Sequence, residues 1–155
     1  MNNKIKNNKE IGFTLIEVLI VISIMSIFFI SAVTIAIFSL QNLKSSENKI
    51  LATRYAEELL EWIRGEKEAD WNSLKTIRAG NGFFQDWCFN TEPVIDWPSE
   101  MGNCDEDDTK IRSIFTRVAS LKYDTEKIII KIKTSWLERN NVVEIPLNTI
   151  FSQYE

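Results

Sequence analysis

The distribution of apolar and polar positions changes character along the chain. From Val18 to Leu43 no side chain is charged and most are aliphatic or aromatic. About 20 apolar residues in a helix cross the hydrocarbon core of a bilayer, so this run predicts a membrane-spanning helix. Lipid offers no hydrogen-bonding partner to a backbone, so even a stretch this rich in Ile and Val must be helical. Glu17 stands at the start of the run. A carboxylate at the centre of a membrane helix costs roughly 2.5–3.5 kcal/mol, less near the interface, and such a group usually has a partner.

Beyond Leu43 the pattern becomes amphipathic. Leu51, Tyr55, Leu59 and Ile63, with Ala52 and Ala56 beside them, recur at helical spacing, while Glu47, Arg54, Glu57, Glu58, Glu61 and Arg64 fill the other positions. No proline interrupts the stretch from Phe13 to Gly65, and Gly65 is the expected stop. One helix of this extent would be roughly 75 Å long. Its second half needs a cover for its apolar stripe.

The C-terminal half supplies that cover. In Lys127–Leu137 the residues Ile128, Ile130, Ile132, Thr134 and Trp136 alternate with Ile129, Lys131, Lys133 and Ser135, a period of two that predicts a half-buried strand. Arg139-Asn140-Asn141 reads as a turn, and Val143, Ile145 and Leu147 then alternate with Val142, Glu144 and Pro146. This is a hairpin whose second strand carries a proline and so belongs at an edge. Ile111–Leu121, with Ile114, Thr116 and Val118 on one face, is a third strand, and Gly82–Phe89 a weaker fourth. The fold class is therefore α+β: a long N-terminal helix whose outer half packs on a small antiparallel sheet.

Composition narrows the chemistry. The 155 residues leave room for one compact domain beyond the membrane segment. The formal charge is −4; residues 1–12 hold three lysines against one glutamate, +2, which leaves −6 for the remainder. An acidic head argues against nucleic acid as a partner. There is no histidine, which excludes a Ser-His-Asp triad and an HExxH zinc site. The basic N-terminal stretch has no apolar core of its own before Gly12, so it is not an ordinary secretory signal.

The stretch Lys9-Glu10-Ile11-Gly12-Phe13-Thr14-Leu15-Ile16-Glu17-Val18-Leu19-Ile20 resembles the cleavage and methylation motif of type IV pilins and pseudopilins. There a short basic leader ends in Gly and Phe-Thr-Leu-Ile-Glu follows. The resemblance covers the leader and the first helix. It implies the pilin fold, cleavage after Gly12 by a membrane-embedded prepilin peptidase, N-methylation of Phe13 by the same enzyme, and packing of the Phe13–Leu40 helices in a filament. Implied partners are the prepilin peptidase/methyltransferase, a major pilin, other minor pilins or pseudopilins, an inner-membrane assembly platform and the lipid bilayer. The organisation expected is a leader over 1–12, a spanning and packing helix over 13–40, its amphipathic continuation over 41–64 and an extracytoplasmic head over 65–155. Lys4, Lys6 and Lys9 on one side of the span balance Lys44, Lys49 and Arg54 on the other. The long translocated domain and the leader resemblance place the N-terminus inside. Trp136, Val143, Leu147 and Thr149 resemble the ending of minor pilins and the pseudopilin-I type. Thr34 is a departure, because many major pilins have Pro there.

Two readings of Glu17 stand side by side. Thr14-Leu15-Ile16-Glu17 fits a capping box, with Glu17 reaching back to the Thr14 backbone, and a carboxylate in the first turn suits the helix dipole. Under the resemblance, Glu17 of one subunit neutralises the Phe13 amine of its neighbour, since two buried charges cost much less together than alone. Cys88 and Cys104 can pair if the head faces an oxidising compartment. Closing a loop of that length stabilises by roughly 3 kcal/mol.

The run Asp105-Glu106-Asp107-Asp108 could offer oxygen ligands to Ca2+, with Asp105, Asp107 and Asp108 as candidates, yet it lacks the spacing and Gly of an EF-hand loop and reads as a solvated charge run. No cofactor is called for. Lys127, Lys131 and Lys133 form a basic stripe that suits an edge-protecting, solvated face. Trp62, Trp71, Trp87 and Trp97 lie around the head's loops, divided between core and contact surface. The functional expectation is a non-enzymatic structural subunit, a minor pilin or pseudopilin of a pilus, secretion or competence filament. Its rival is a membrane-anchored adhesin or DNA-uptake tip whose loops bind a ligand.

Overall fold

The computed structural model describes residues 14–99, 104 and 110–154. The chain divides into two compact units, Met1–Lys44 and Ser45–Glu155. Helix α1 (Leu15–Ala69) contributes to both.

In the first unit every described side chain is exposed. The helix there hides its own polar groups: the hydroxyls of Ser23, Ser26, Ser31 and Thr34 donate to the carbonyls of Leu19, Ile22, Ile27 and Ile30, at 2.8–2.9 Å. A hydroxyl bonded four residues back presents little but carbon to its surroundings. This helix is long and apolar enough to cross a membrane.

In the second unit α1 buries the stripe Ala52, Tyr55, Ala56, Leu59 and Ile63. The two alanines let the helix lie close to the sheet. Helix α1 does not stop at Gly65. A C-terminal glycine earns its place in the left-handed conformation, and Gly65 has neither a positive φ nor any atom within 4 Å of where a Cβ would stand. The turn beyond it is anchored instead: Trp97 Nε1 donates to Glu66 Oε2 at 2.7 Å, and Lys67 Nζ lies 5.4 Å from the Phe151 ring centre. Asp70 then caps the short helix α2 (Trp71–Ser73), its Oδ1 accepting from the Ser73 N–H at 3.0 Å, and a π-helical turn, Leu74–Arg78, follows.

The described strands are β1 (Gly80–Asn81), β2 (Gln85–Cys88), β3 (Lys110–Ile111), β4 (Phe115–Asp124), β5 (Lys127–Glu138) and β6 (Asn141–Ser152). They form one sheet. Strands β3 to β6 make an antiparallel meander, and the other edge of β4 is covered in turn by β3, β2 and β1. Strand β1 runs parallel to β4, so the sheet is mixed where the sequence predicts an antiparallel one. The expected strand Ile111–Leu121 is broken by a turn at Arg112 and Ser113, with φ of 50° and 59°. On β4 the buried face is Phe115, Arg117, Ala119 and Leu121, opposite to the face bearing Thr116 and Val118.

The β5–β6 hairpin stands as its alternation predicts. Arg139 and Asn140 both have positive φ, the geometry of a two-residue turn whose twist matches the strands. Counting by twos from the Glu138–Asn141 pair, Pro146 falls among the residues whose N–H points away from β5. Its missing donor therefore costs no ladder bond on this open-edge strand. Thr125 and Glu126 form the corresponding β4–β5 turn. Beside it, hydrogen bonds from Lys122 and from the Thr125 hydroxyl hold the Asp124 carboxyl below the usual carboxylate range. That contribution is present above about pH 4 and is lost as pH falls through the folded-state value.

Two apolar clusters fill the space between α1 and the sheet. The larger joins Leu59 and Ile63 to Leu121, Ile128, Ile130 and Ile132; the smaller joins Ala52 and Tyr55 to Ile111, Phe115 and Trp136.

Because Gly65 lies inside an exposed helical stretch, Gly65→Ala should stabilise the protein by about 0.5–1 kcal/mol. The urea midpoint of detergent-solubilised protein reads this. A loss of stability would restore Gly65 as a helix stop.

Candidate functional site

Two places carry polar chemistry that the fold does not require of an ordinary subunit core. The first is the start of α1. The Glu17 and Val18 N–H groups donate to the Thr14 carbonyl at 3.0 and 3.3 Å, so backbone closes the first turn. Among the described residues neither the Thr14 hydroxyl nor the Glu17 carboxylate forms a side-chain bond, and both side chains are exposed. The reciprocal side-chain cap is not formed. The carboxylate thus sits at the head of an apolar helix with nothing of its own chain, among those residues, to balance it. Gly12 and Phe13 lie outside the described residues, as do Asp105, Asp107 and Asp108.

The second place is where the loop after β2 meets α1, and Arg117 is its centre. Its side chain is 0% exposed. Nη1 donates to the Tyr55 carbonyl at 3.0 Å and to Glu58 Oε2 at 3.2 Å, and Nη2 donates to the Thr91 carbonyl at 2.7 Å. Burial pushes the guanidinium below its ordinary value and the Glu58 carboxylate opposes that push. An arginine so paired remains charged at physiological pH. Nε and the hydroxyl of Thr134, its cross-strand neighbour, have no protein partner among the described residues.

Around this centre α1 fastens the loop. Glu58 Oε1 accepts from the Val94 N–H at 2.9 Å, so one carboxylate serves both the buried cation and the loop backbone. Glu92 accepts from the Tyr55 hydroxyl at 3.2 Å and from Arg112 Nε and Nη2 at 3.0 and 3.2 Å. Burial, then the Glu92 charge, raises the Tyr55 phenol. Cys88 and Cys104 are joined by a disulfide, which closes the same loop.

The tryptophans that composition could not sort now divide. Trp87 is buried, and Trp62 and Trp97 pack edge-on around it and Phe89, with ring centres 5.2–5.7 Å apart. Arg78 lies over Trp97 at 4.8 Å and Trp87 Nε1 donates to the Arg78 carbonyl at 2.8 Å. Trp71 is half-buried beside that cluster.

Beside the loop, Leu51, Arg54, Tyr55, Glu57, Glu92 and Arg112 line a groove of about 580 Å3 that is open to solvent. It holds neither a nucleophile with a base nor a metal-ligand cluster among the described residues. The basic stripe is partly neutralised: Lys131 lies over the Phe84 ring at 4.2 Å and Lys133 pairs with Glu144 at 3.6 Å.

Arg117 was invisible to period-two reading because a charge on a buried face breaks the pattern. The one available signal was its place in the run Phe115, Arg117, Ala119, Leu121.

A profile of the family described as the prokaryotic N-terminal methylation motif matches residues 7–33. No curated protein and no solved structure matches the chain.

Glu58→Ala should destabilise by about 3 kcal/mol, since it strands a buried guanidinium and the Val94 N–H, whereas Arg117→Met, which removes the charge and keeps the volume, should cost less. Denaturant midpoints of the two variants decide the order, and the reverse order would remove Arg117 from the centre of this site. Replacing Cys88 and Cys104 together by Ser should cost about 3 kcal/mol by the same measurement. A double variant as stable as the parent would show that the loop is held by α1 alone.

Proposed function

We propose that the chain is a non-enzymatic structural subunit, a minor pilin or pseudopilin, of a type IV pilus, type II secretion or competence filament. The methylation motif over residues 7–33 implies a prepilin-type precursor, cut by prepilin peptidase. The observation that carries the rest is the helix behind that motif: its described side chains are exposed throughout the first unit, four of its hydroxyls bond back to its own carbonyls, and Glu17 has no partner among the described residues. Such a surface suits lipid before assembly and other helices after it. In this reading the precursor waits in the cytoplasmic membrane as a single-pass protein with its N-terminus inside. Cleavage after Gly12 then frees the Phe13 amine for methylation, and Glu17 of one subunit meets that amine on the next. Thr14 completes the motif at the cut. The assembly platform, a major pilin and other minor subunits are the partners implied. An adhesin or uptake tip stays the second reading, and the stitched-down loop after β2 favours the first, because a recognition loop is seldom tied at so many points.

Intact-mass analysis should find the purified protein beginning at methylated Phe13, with Gly12→Leu left uncut. Glu17→Gln then tests the pairing. The first turn, closed by backbone bonds to the Thr14 carbonyl, survives the change, whereas leaving a neighbour's amine unpaired in an apolar bundle costs several kcal/mol. Membrane level and cleavage should stay normal while the ratio of sheared-filament to membrane-bound protein falls sharply. An unchanged ratio would end the pairing mechanism.

A further inference from the structure

The sheet carries an apolar patch that neither α1 nor the loops cover among the described residues. Leu137 and Val142 are register partners on β5 and β6, one step from the turn, and are 66% and 70% exposed. Ile114, in the β3–β4 turn, is 45% exposed. With Lys110, Ser113, Thr116 and Ser135 they line a shallow depression of about 400 Å3. Leu137 neighbours the buried Trp136, so its side chain points to the face of the sheet away from α1.

The position of this patch in the head identifies its occupant. The chain enters the head at Ser45, whose hydroxyl donates to Glu138 Oε2 at 3.3 Å, at the β5–β6 turn itself. The uncharged run ends at Leu43, and two residues of chain span at most about 7 Å. Any bilayer that holds the run up to Leu43 therefore lies within reach of the turn that Leu137 and Val142 flank. We infer that the Ile114–Leu137–Val142 patch rests in the interfacial layer of the membrane, among lipid headgroups, while the subunit waits in the bilayer. This rests on the membrane-spanning reading of residues 18–43.

Aliphatic side chains gain by entering that layer. The chain is acidic overall, with a formal charge of −4. Apolar burial therefore carries the contact, and raised salt should leave it in place.

The test uses the full-length protein in vesicles of phosphatidylethanolamine and phosphatidylglycerol, with the native cysteines joined as a disulfide and one added cysteine carrying an environment-sensitive dye. The positions are Val142→Cys at the patch, Thr125→Cys at the opposite end of the sheet, roughly 30 Å away along β4, and Val33→Cys in the span. Nitroxide lipids labelled at the headgroup should quench the dye at 142 several-fold more than at 125, in low and high salt alike. A Leu137→Asn background should lower that quenching. Nitroxides on the acyl chains should quench position 33. Quenching at 33 with equal, weak quenching at 142 and 125 overturns the patch proposal and leaves the spanning reading intact. No quenching at 33 overturns both. A dye at 142 that is shielded only in assembled filaments assigns the patch to a neighbouring subunit and also overturns it.

Discussion

An apolar surface that the chain does not cover for itself governs everything else here. From Thr14 to Lys44 every side chain is exposed, and most of those between Leu15 and Leu43 are Ile, Leu, Val, Phe or Met. Hiding one such side chain from water is favourable by about 1.5–3 kcal/mol. Summed over this run, the drive exceeds the 5–15 kcal/mol that typically holds a domain together. Where the helix lies is therefore decided by what surrounds it, before the head has any say. The backbone is satisfied within the helix, and the hydroxyls of Ser23, Ser26, Ser31 and Thr34 are bonded to their own preceding turns. Between Leu15 and Leu43, Glu17 is the one charged side chain, which lipid alone does not suit.

The second half of the same helix meets the opposite demand. Its stripe of Ala52, Tyr55, Ala56, Leu59 and Ile63 is buried, and the meander β3–β6 supplies the facing surface. In the middle of that otherwise apolar contact stands Arg117. A methionine would fill the space at lower desolvation cost, so stability alone does not explain a buried cation. What the guanidinium does is fix three parts at once: the α1 backbone at Tyr55, the Glu58 carboxylate, and the loop backbone at Thr91. Hydrophobic packing tolerates sliding, whereas these bonds are directional. They set the register of helix against sheet and hold the loop closed by the disulfide in one place.

Much of this was legible from period and charge. Strand β5, its hairpin to β6, the edge position of Pro146 and the buried stripe of α1 all follow from local alternation, because in each a single face is dry. The parts that were not legible depend on partners distant in sequence. Gly65 reads as a stop until Trp97 and Phe151 hold the turn beyond it. The break at Arg112 and Ser113 needs two non-glycine residues at positive φ, which local preference argues against. Strand β1 is two residues long and exists only because β4 has an edge to fill. Arg117 carries no local signal, because its acceptors, the Glu58 carboxylate and the Tyr55 and Thr91 carbonyls, are all remote in sequence. At the N-terminus the imbalance was the reverse: the motif was plain in the sequence, while its chemistry depends on Gly12 and Phe13, outside the described residues.

At Thr34 the surroundings decide what the residue does to the helix. A proline at this place would remove a backbone donor and open the helix. Here the residue keeps its N–H, and its hydroxyl bonds to the Ile30 carbonyl at 2.8 Å. Threonine is a modest helix former in water, but in lipid a bonded hydroxyl adds no exposed polar group, and the alternative of an open turn would leave backbone groups unsatisfied. The ladder of α1 is therefore complete through the apolar run.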